Sequence, residues 1–165
     1  NVENVLETIS PSMDIQIASN FERLIFDLNN HNDKKTIDVM RSIKEKGKYE
    51  IQKEFLDKIN VDFLSSRMDE KEVLNTIKNV YEKFDKVLDP HSAIGYGALD
   101  KVNLNGNNVV LATAHPCKFP GAIEKAINIK AELPDELLFI LNEKENYDII
   151  DKNLNKIKQH IKERI

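Results

Sequence analysis

The stretch ATAHPCKFP, residues 112–120, brings together side chains that could do chemistry: Thr113, His115 and Cys117, the only cysteine of the chain. A histidine two residues before a cysteine does not have a usual metal-ligand spacing, and even with His91 a fourth donor would be missing. We therefore predict no metal. A thiol nucleophile would need His91 or His115 as its base, and a lone cysteine is more often a small packing residue.

The residues around this stretch suggest how it is positioned. Residues 109–112, VVLA, are wholly apolar and predict a short strand buried in a parallel sheet. Ligands of open α/β sheets collect outside the carboxyl ends of the strands, so Thr113 and His115 are candidates for a binding edge. The alternative role for both residues is capping or turn formation. Residues 61–64 predict a second short strand.

Most of the chain has the apolar spacing of amphipathic helices. The clearest pattern predicts a helix from Asp69 to about Leu88, with Asp69 and Glu72 at capping-box spacing. A buried strand needs neighbouring strands, but the sequence predicts many helices and only one or two strands. Either other polypeptide completes the sheet, or the predicted strands are wrong. Further helices are predicted to begin near Ser19 or Asn20, near Asn32 or Asp33, and near residues 50, 120, 133 and 150.

A helix is also predicted from Pro90, in the segment DPHSAIGYGALDK at 89–101. Two glycines inside a helix cost about 1 kcal/mol each relative to alanine, so Gly95 and Gly97 need a reason. Close approach of the backbone to another element, or to a flat ligand, would supply it. The alternative is a loop with a poorly formed helix.

The bulk composition excludes several classes of function. The 165 residues, with a hydrophobic fraction of 41%, suit one globular domain. A net charge of -4 argues against a nucleic-acid partner, because phosphate binding needs clustered cations. No apolar run approaches the roughly 18 residues of a membrane span, so no membrane is expected. One cysteine weakly favours a reducing compartment, and we predict a cytoplasmic protein.

Three blocks of the sequence together resemble a known family. They are SPSMDIQIASNFERLIFDL at 10–28, VLDPHSAIGYGAL at 87–99 and ATAHPCKFP at 112–120. In order and spacing they are similar to the C-terminal part of threonine synthase. The resemblance implies a pyridoxal phosphate enzyme of the tryptophan synthase β-like fold (fold type II), a lyase of threonine biosynthesis. The expected fold class is α/β, as a helix-rich C-terminal fragment of such an enzyme.

The family converts O-phospho-L-homoserine and water to L-threonine and phosphate. The resemblance places its Schiff-base lysine and its glycine-asparagine phosphate loop upstream of the first block, and this chain contains neither. Residues 1–165 are therefore expected to form one C-terminal portion of the cofactor-binding catalytic domain. The missing N-terminal part of the same enzyme is its expected partner, and the chain alone is expected to be inactive.

Two alternatives remain beside this interpretation. The first is a non-catalytic, truncated module that binds a partner or a small phosphorylated ligand. The second is a phospho-lyase of the same fold that acts on a related substrate.

The resemblance also implies roles for individual residues. Thr113 corresponds to the residue whose hydroxyl contacts the pyridine nitrogen, and a neutral hydroxyl, unlike aspartate, does not force that nitrogen to stay protonated. His91, Ser92 and His115 lie in the matching blocks and are pocket candidates without an assigned role. Arg23 is a candidate contact for the substrate phosphate, with surface pairing to a nearby carboxylate as the alternative.

Overall fold

The computed structural model describes residues 5–102 and 104–165, and the chain divides into two compact units. The first unit is Asn1–Glu132 and the second is Leu133–Ile165. The α-helices of the first unit are α1 (Ser19–Leu28), α2 (Asp33–Lys46), α3 (Lys53–Asp62), α4 (Glu70–Phe84), α5 (Pro90–Ala98) and α6 (Pro120–Ile127), and its short 3-10 helices are Pro11–Met13 and Pro116–Lys118.

Helix α4 begins where the sequence predicts. Asp69 Oδ1 accepts a hydrogen bond from the Glu72 backbone N–H at 2.8 Å, and Glu72 Oε2 accepts one from the Asp69 N–H at 2.8 Å. This reciprocal pair is the predicted capping box. The helix ends at Phe84, earlier than predicted, because Asp85 adopts a left-handed conformation with φ of 53°.

Helices α4, α5 and α6 enclose the core of the first unit. The core cluster consists of Val73 and Ile77 from α4, Ala93 from α5 and Ile123 from α6. Burying one large aliphatic side chain contributes about 1.5–3 kcal/mol, so these contacts hold the three helices together. The helices predicted from Pro90 and Pro120 are confirmed.

Helices α1 and α2 pack against each other. The buried side chains are Ile25 from α1 and Val39 from α2. Asn32 caps α2 by accepting a hydrogen bond from the Lys35 N–H at 3.0 Å. Gly47 ends α2 with φ of 68°, a conformation that glycine adopts without a steric penalty.

The second unit contains a 3-10 helix, Asp135–Asn142, and α7, Leu154–Lys162. The helix predicted from residue 133 forms with 3-10 geometry. Helix α7 begins later than predicted because the side chain of Asn153 caps it, accepting hydrogen bonds from the backbone of Asn155 and Lys156. In the part of the chain that the structure describes, no helix is long and apolar enough to cross a membrane.

The two predicted strands are wrong, since no strand forms in residues 5–102 and 104–165. Residues 109–112 have no regular secondary structure, and the side chains of Val109 and Leu111 are 85% and 76% exposed. Residues 61–64 include the end of α3. A strand needs a neighbouring strand for its backbone hydrogen bonds, and the described part of this chain offers none.

Gly97 is explained by close packing between α5 and its surroundings. A Cβ atom at Gly97 would lie 2.6 Å from Met68 Sδ and 3.0 Å from Thr76 Oγ1 on α4. A Cβ at Gly95 would meet only Val110 Cγ1 at 3.4 Å, an ordinary van der Waals contact. Of the two reasons left open by the sequence, close approach to another element therefore applies to Gly97.

The two glycines are expected to respond differently to the same substitution. Gly95→Ala should raise the free energy of unfolding by up to about 1 kcal/mol through helix propensity. Gly97→Ala forces Met68 to move, and overpacking should make this variant less stable than Gly95→Ala by about 1–3 kcal/mol. Thermal unfolding of the two variants checks this, and equal midpoints would contradict the packing argument.

Candidate functional site

Asp89 organises the start of α5. Its carboxylate accepts hydrogen bonds from the backbone N–H of His91 at 2.9 Å and of Ser92 at 3.3 Å. It also accepts one from His91 Nδ1–H at 3.0 Å and a short one from the Ser92 hydroxyl. The residue is only 1% exposed. A buried carboxylate therefore holds two of the predicted site residues in fixed orientations.

Asp89 is not among the site residues that the sequence predicts. The available signal was its place before Pro90 and three residues before Ser92, which is typical of a helix N-cap. That pattern predicts that Asp89 caps the helix, but it does not predict that Asp89 is buried together with His91 and Ser92.

The ionisation of Asp89 follows from two opposing effects. Burial by itself raises the pKa of this carboxyl, because it disfavours the charged form. The hydrogen bonds from the side chains and backbone N–H groups of Ser92 and His91 lower the pKa, and together they bring it below its ordinary value of 3.8. Asp89 is therefore a carboxylate at neutral pH.

This lowered pKa predicts how acid affects stability. The ionised form of Asp89 stabilises the fold at pH values above 3.8, and this contribution is lost as the pH falls through the folded-state pKa. The stability difference between the wild type and Asp89→Asn should therefore be largest above pH 3.8 and shrink below it. Unfolding midpoints of both proteins across this range test the expectation, and a difference independent of pH would contradict it.

His91 connects three segments of the first unit. Its Nδ1–H faces Asp89, and its Nε2 lies 3.2 Å from the Ser12 backbone nitrogen. Because the Ser12 N–H is a donor, Nε2 must accept, which assigns the neutral Nδ1–H tautomer. The His91 ring also packs against Phe119, with ring centroids 4.7 Å apart. Both ring nitrogens are thus engaged in holding the structure, and the side chain is buried.

Ser92 connects α5 to the segment that carries Thr113. The Thr113 backbone N–H donates to Ser92 Oγ at 2.9 Å, and the two hydroxyl oxygens are 3.4 Å apart. Thr113 itself is exposed, whereas Ser92 is buried. The structure therefore brings His91, Ser92 and Thr113 together around Asp89. We call these four residues the Asp89 cluster.

A cleft of about 520 Å³ lies next to the Asp89 cluster. Asp89 and Ser92 lie on its wall, and so do Ala112 and Ala114, the two neighbours of Thr113 in the chain. His115 also lines the cleft.

His115 and Cys117 form a local cap. His115 Nδ1 accepts a hydrogen bond from the Cys117 backbone N–H at 3.2 Å at the start of the 3-10 helix Pro116–Lys118. This is the capping role that the sequence left open for His115, and it is compatible with the position of the side chain on the cleft wall. Cys117 is half-buried.

Arg23 belongs to α1 and not to the Asp89 cluster. Its side chain is on the exposed face of α1. Within the described residues, no hydrogen bond or ion pair joins it to the Asp89 cluster or to a nearby carboxylate. Its proposed contact with a substrate phosphate stays a prediction.

The sequence of this chain is similar to the sequences of known threonine synthases. Residues 92–161 match a family model described as "Threonine synthase, C-terminal". The threonine synthase of Pseudomonas aeruginosa is 35% identical over 157 residues, which are 93% of this chain and 34% of that protein. The threonine synthase of Saccharomyces cerevisiae is 31% identical over 189 aligned residues, covering 99% of this chain and 37% of that protein. The chain thus spans about a third of the length of these curated relatives.

Solved structures agree with the sequence matches. The crystal structure of PLP-bound threonine synthase from Brucella melitensis has a TM-score of 0.81 and 35% identity, covering 98% of this chain and 35% of that one. The yeast threonine synthase structure has a TM-score of 0.74 and 31% identity, covering 98% of this chain and 37% of that one. The expected fold class, a helix-rich C-terminal fragment of a PLP-dependent fold type II enzyme, is confirmed. Over nearly its whole length, the chain is similar to the C-terminal part of threonine synthases.

Proposed function

We propose that this chain forms the rear wall of the pyridoxal phosphate pocket in a threonine synthase. The intact enzyme, meaning this chain together with the N-terminal part, would convert O-phospho-L-homoserine and water to L-threonine and phosphate. The observation that carries this proposal is the similarity in fold and sequence to a PLP-bound threonine synthase over nearly the whole chain. We further propose a cytoplasmic location, which the single cysteine weakly supports.

Asp89 and Ser92 line the cleft that would take the ring of this cofactor, and Thr113 lies beside that cleft, between Ala112 and Ala114. Thr113 places a neutral hydroxyl at an exposed position, and the buried Ser92 fixes its backbone. Ala112 and Ala114 on either side have small side chains, which leaves room in the cleft for a flat ring. The sequence lacks a glycine-rich phosphate loop, so the chain suits the ring end of the cofactor and leaves its phosphate to the N-terminal part.

Bound pyridoxal phosphate supplies an electron sink for the carbanions that phosphate elimination requires. The residues of this chain would orient it. Thr113 would meet the pyridine nitrogen, Ser92 would hold Thr113, and His115 would shape the wall of the cleft. Arg23 would bind the substrate phosphate, a task that suits a bidentate guanidinium.

The chain alone is proposed to be inactive, because the covalent anchor for the cofactor would be contributed by the N-terminal part. The coding sequence upstream of Asn1 provides a direct test. It should encode a lysine and a glycine-asparagine phosphate loop in the same reading frame or in a companion gene. A stop codon without a companion gene would contradict the proposal and favour a non-catalytic module.

The reaction is tested on the intact enzyme with pyridoxal phosphate. Incubation with O-phospho-L-homoserine should release phosphate and threonine in equal amounts, whereas O-phosphoserine, one carbon shorter, should be a poor substrate. Phosphate release from O-phosphoserine with no turnover of O-phosphohomoserine would contradict our choice. It would instead support a phospho-lyase of the same fold.

A further inference from the structure

The hydrogen bonds of Ser92 have a fixed direction. A serine hydroxyl has one proton to donate and two lone pairs that accept. The Asp89 carboxylate is a pure acceptor when it is ionised, so the short contact between them requires that Ser92 donates its proton to Asp89. Asp89 cannot donate in return. The lowered pKa of Asp89 is consistent with this ionised form.

The direction of the Ser92 hydrogen bond also determines how Thr113 can bond to Ser92. The Thr113 N–H occupies one lone pair of Ser92 Oγ, at 2.9 Å. Ser92 has no further proton, so only Thr113 can donate across the 3.4 Å between the two hydroxyl oxygens, which is a long distance for a hydrogen bond. Once the Thr113 proton points towards Ser92, the lone pairs of Thr113 Oγ1 are left for a partner on the other side. That partner must be a hydrogen-bond donor.

We propose that Asp89 and Ser92 are positioning residues that orient the Thr113 hydroxyl as an acceptor and so favour a protonated pyridine nitrogen. This inference rests on the proposed function, because it concerns the ring of the proposed cofactor. It also qualifies the sequence-based expectation: a threonine hydroxyl need not leave the ring nitrogen neutral when a buried carboxylate sets the direction of its hydrogen bonds. The negative charge of Asp89, transmitted through the Ser92 and Thr113 hydroxyls, also favours the protonated ring nitrogen.

The test uses the intact enzyme saturated with pyridoxal phosphate labelled with 15N at the ring nitrogen. The 15N resonance distinguishes a protonated from a neutral ring nitrogen, and a pH titration gives the midpoint of protonation. Ser92→Ala leaves the Thr113 hydroxyl free to donate to a neutral ring nitrogen, and it should lower this midpoint by about one to two pH units. One unit corresponds to about a tenfold loss in the protonated fraction.

Ser10→Ala is the matched control. Ser10 is also a buried serine of the first unit, and within the described residues its hydroxyl makes no hydrogen bond. The midpoint of this variant should equal that of the wild type. Both variants keep the other titratable side chains of the Asp89 cluster and the cleft, which are His91, His115, Lys130 and Glu132. These side chains therefore do not account for a difference in midpoint between the two variants.

Asp89→Asn provides a second, independent variant. Its amide nitrogen can donate to Ser92, which frees the Ser92 proton for Thr113 and should also lower the midpoint. A neutral ring nitrogen in the wild type at pH 7, or equal midpoints in the wild type and Ser92→Ala, would overturn the inference and leave the proposed function intact. If the intact protein binds no pyridoxal phosphate, with no resonance or absorbance from bound cofactor, both proposals fail.

Discussion

Replacing Asp89 by alanine should lower the free energy of unfolding by about 3–7 kcal/mol, more than the loss of an ordinary helix cap. The variant loses the N-cap of α5 and leaves the His91 Nδ1–H without its acceptor in the core. It also removes the acceptor of the Ser92 hydroxyl. Each buried donor left unpaired costs about 1–3 kcal/mol, and the lost cap adds about 1 kcal/mol.

The chain contains a matched control for this substitution. Asp69 caps α4 with the same chemistry, but it is exposed to solvent. Asp69→Ala should therefore cost only about 1 kcal/mol. Chemical denaturation of the two variants measures the difference. Equal losses would mean that the buried network of Asp89 contributes nothing beyond a cap.

Replacing Thr113 by valine in the intact enzyme should weaken pyridoxal phosphate binding by about 10- to 100-fold. Valine keeps the shape of threonine but removes the hydroxyl that would meet the ring nitrogen. The absorbance of the bound cofactor should change as well, because its ring would lose a hydrogen bond. The fold should be unaffected, since Thr113 is exposed and its backbone N–H still reaches Ser92.

Thr113→Ser is the control for this experiment, because it retains a hydroxyl at the same position. Its affinity for the cofactor should stay within a few-fold of the wild type, which equilibrium titration followed by absorbance can measure. If Thr113→Val binds the cofactor with unchanged affinity, spectrum and rate, the hydroxyl has no role at the pyridine nitrogen.

The helices could be predicted from the sequence because their determinants are local. The capping box of Asp69 and Glu72 and the apolar face of α4 are both visible as residue spacing. Pro90 and Pro120 mark the first turns of α5 and α6 in the same way.

The strand predicted at 109–112 failed because a strand is defined by its partners. Its apolar composition is that of a buried strand, yet Val109 and Leu111 are exposed in the described structure. Exposed aliphatic side chains in a row are consistent with a surface that the N-terminal part would cover.

The candidate site could be predicted only in part. The resemblance identified Thr113, Ser92 and His91, and the structure brings all three together. It could not identify Asp89 as their common partner, because the burial of a cap residue depends on tertiary packing around it. Nor could residue spacing assign the tautomer of His91, which depends on Ser12, 79 positions away in the sequence.

The central claim is that Thr113 faces the cofactor ring in a pocket completed by the N-terminal part. A crystal structure of the intact enzyme with pyridoxal phosphate tests it most directly. We expect Thr113 Oγ1 within about 2.7–3.2 Å of the pyridine nitrogen, with Ser92 behind it. A cofactor whose ring nitrogen meets a different side chain, with Thr113 turned away from the ring, would contradict the account.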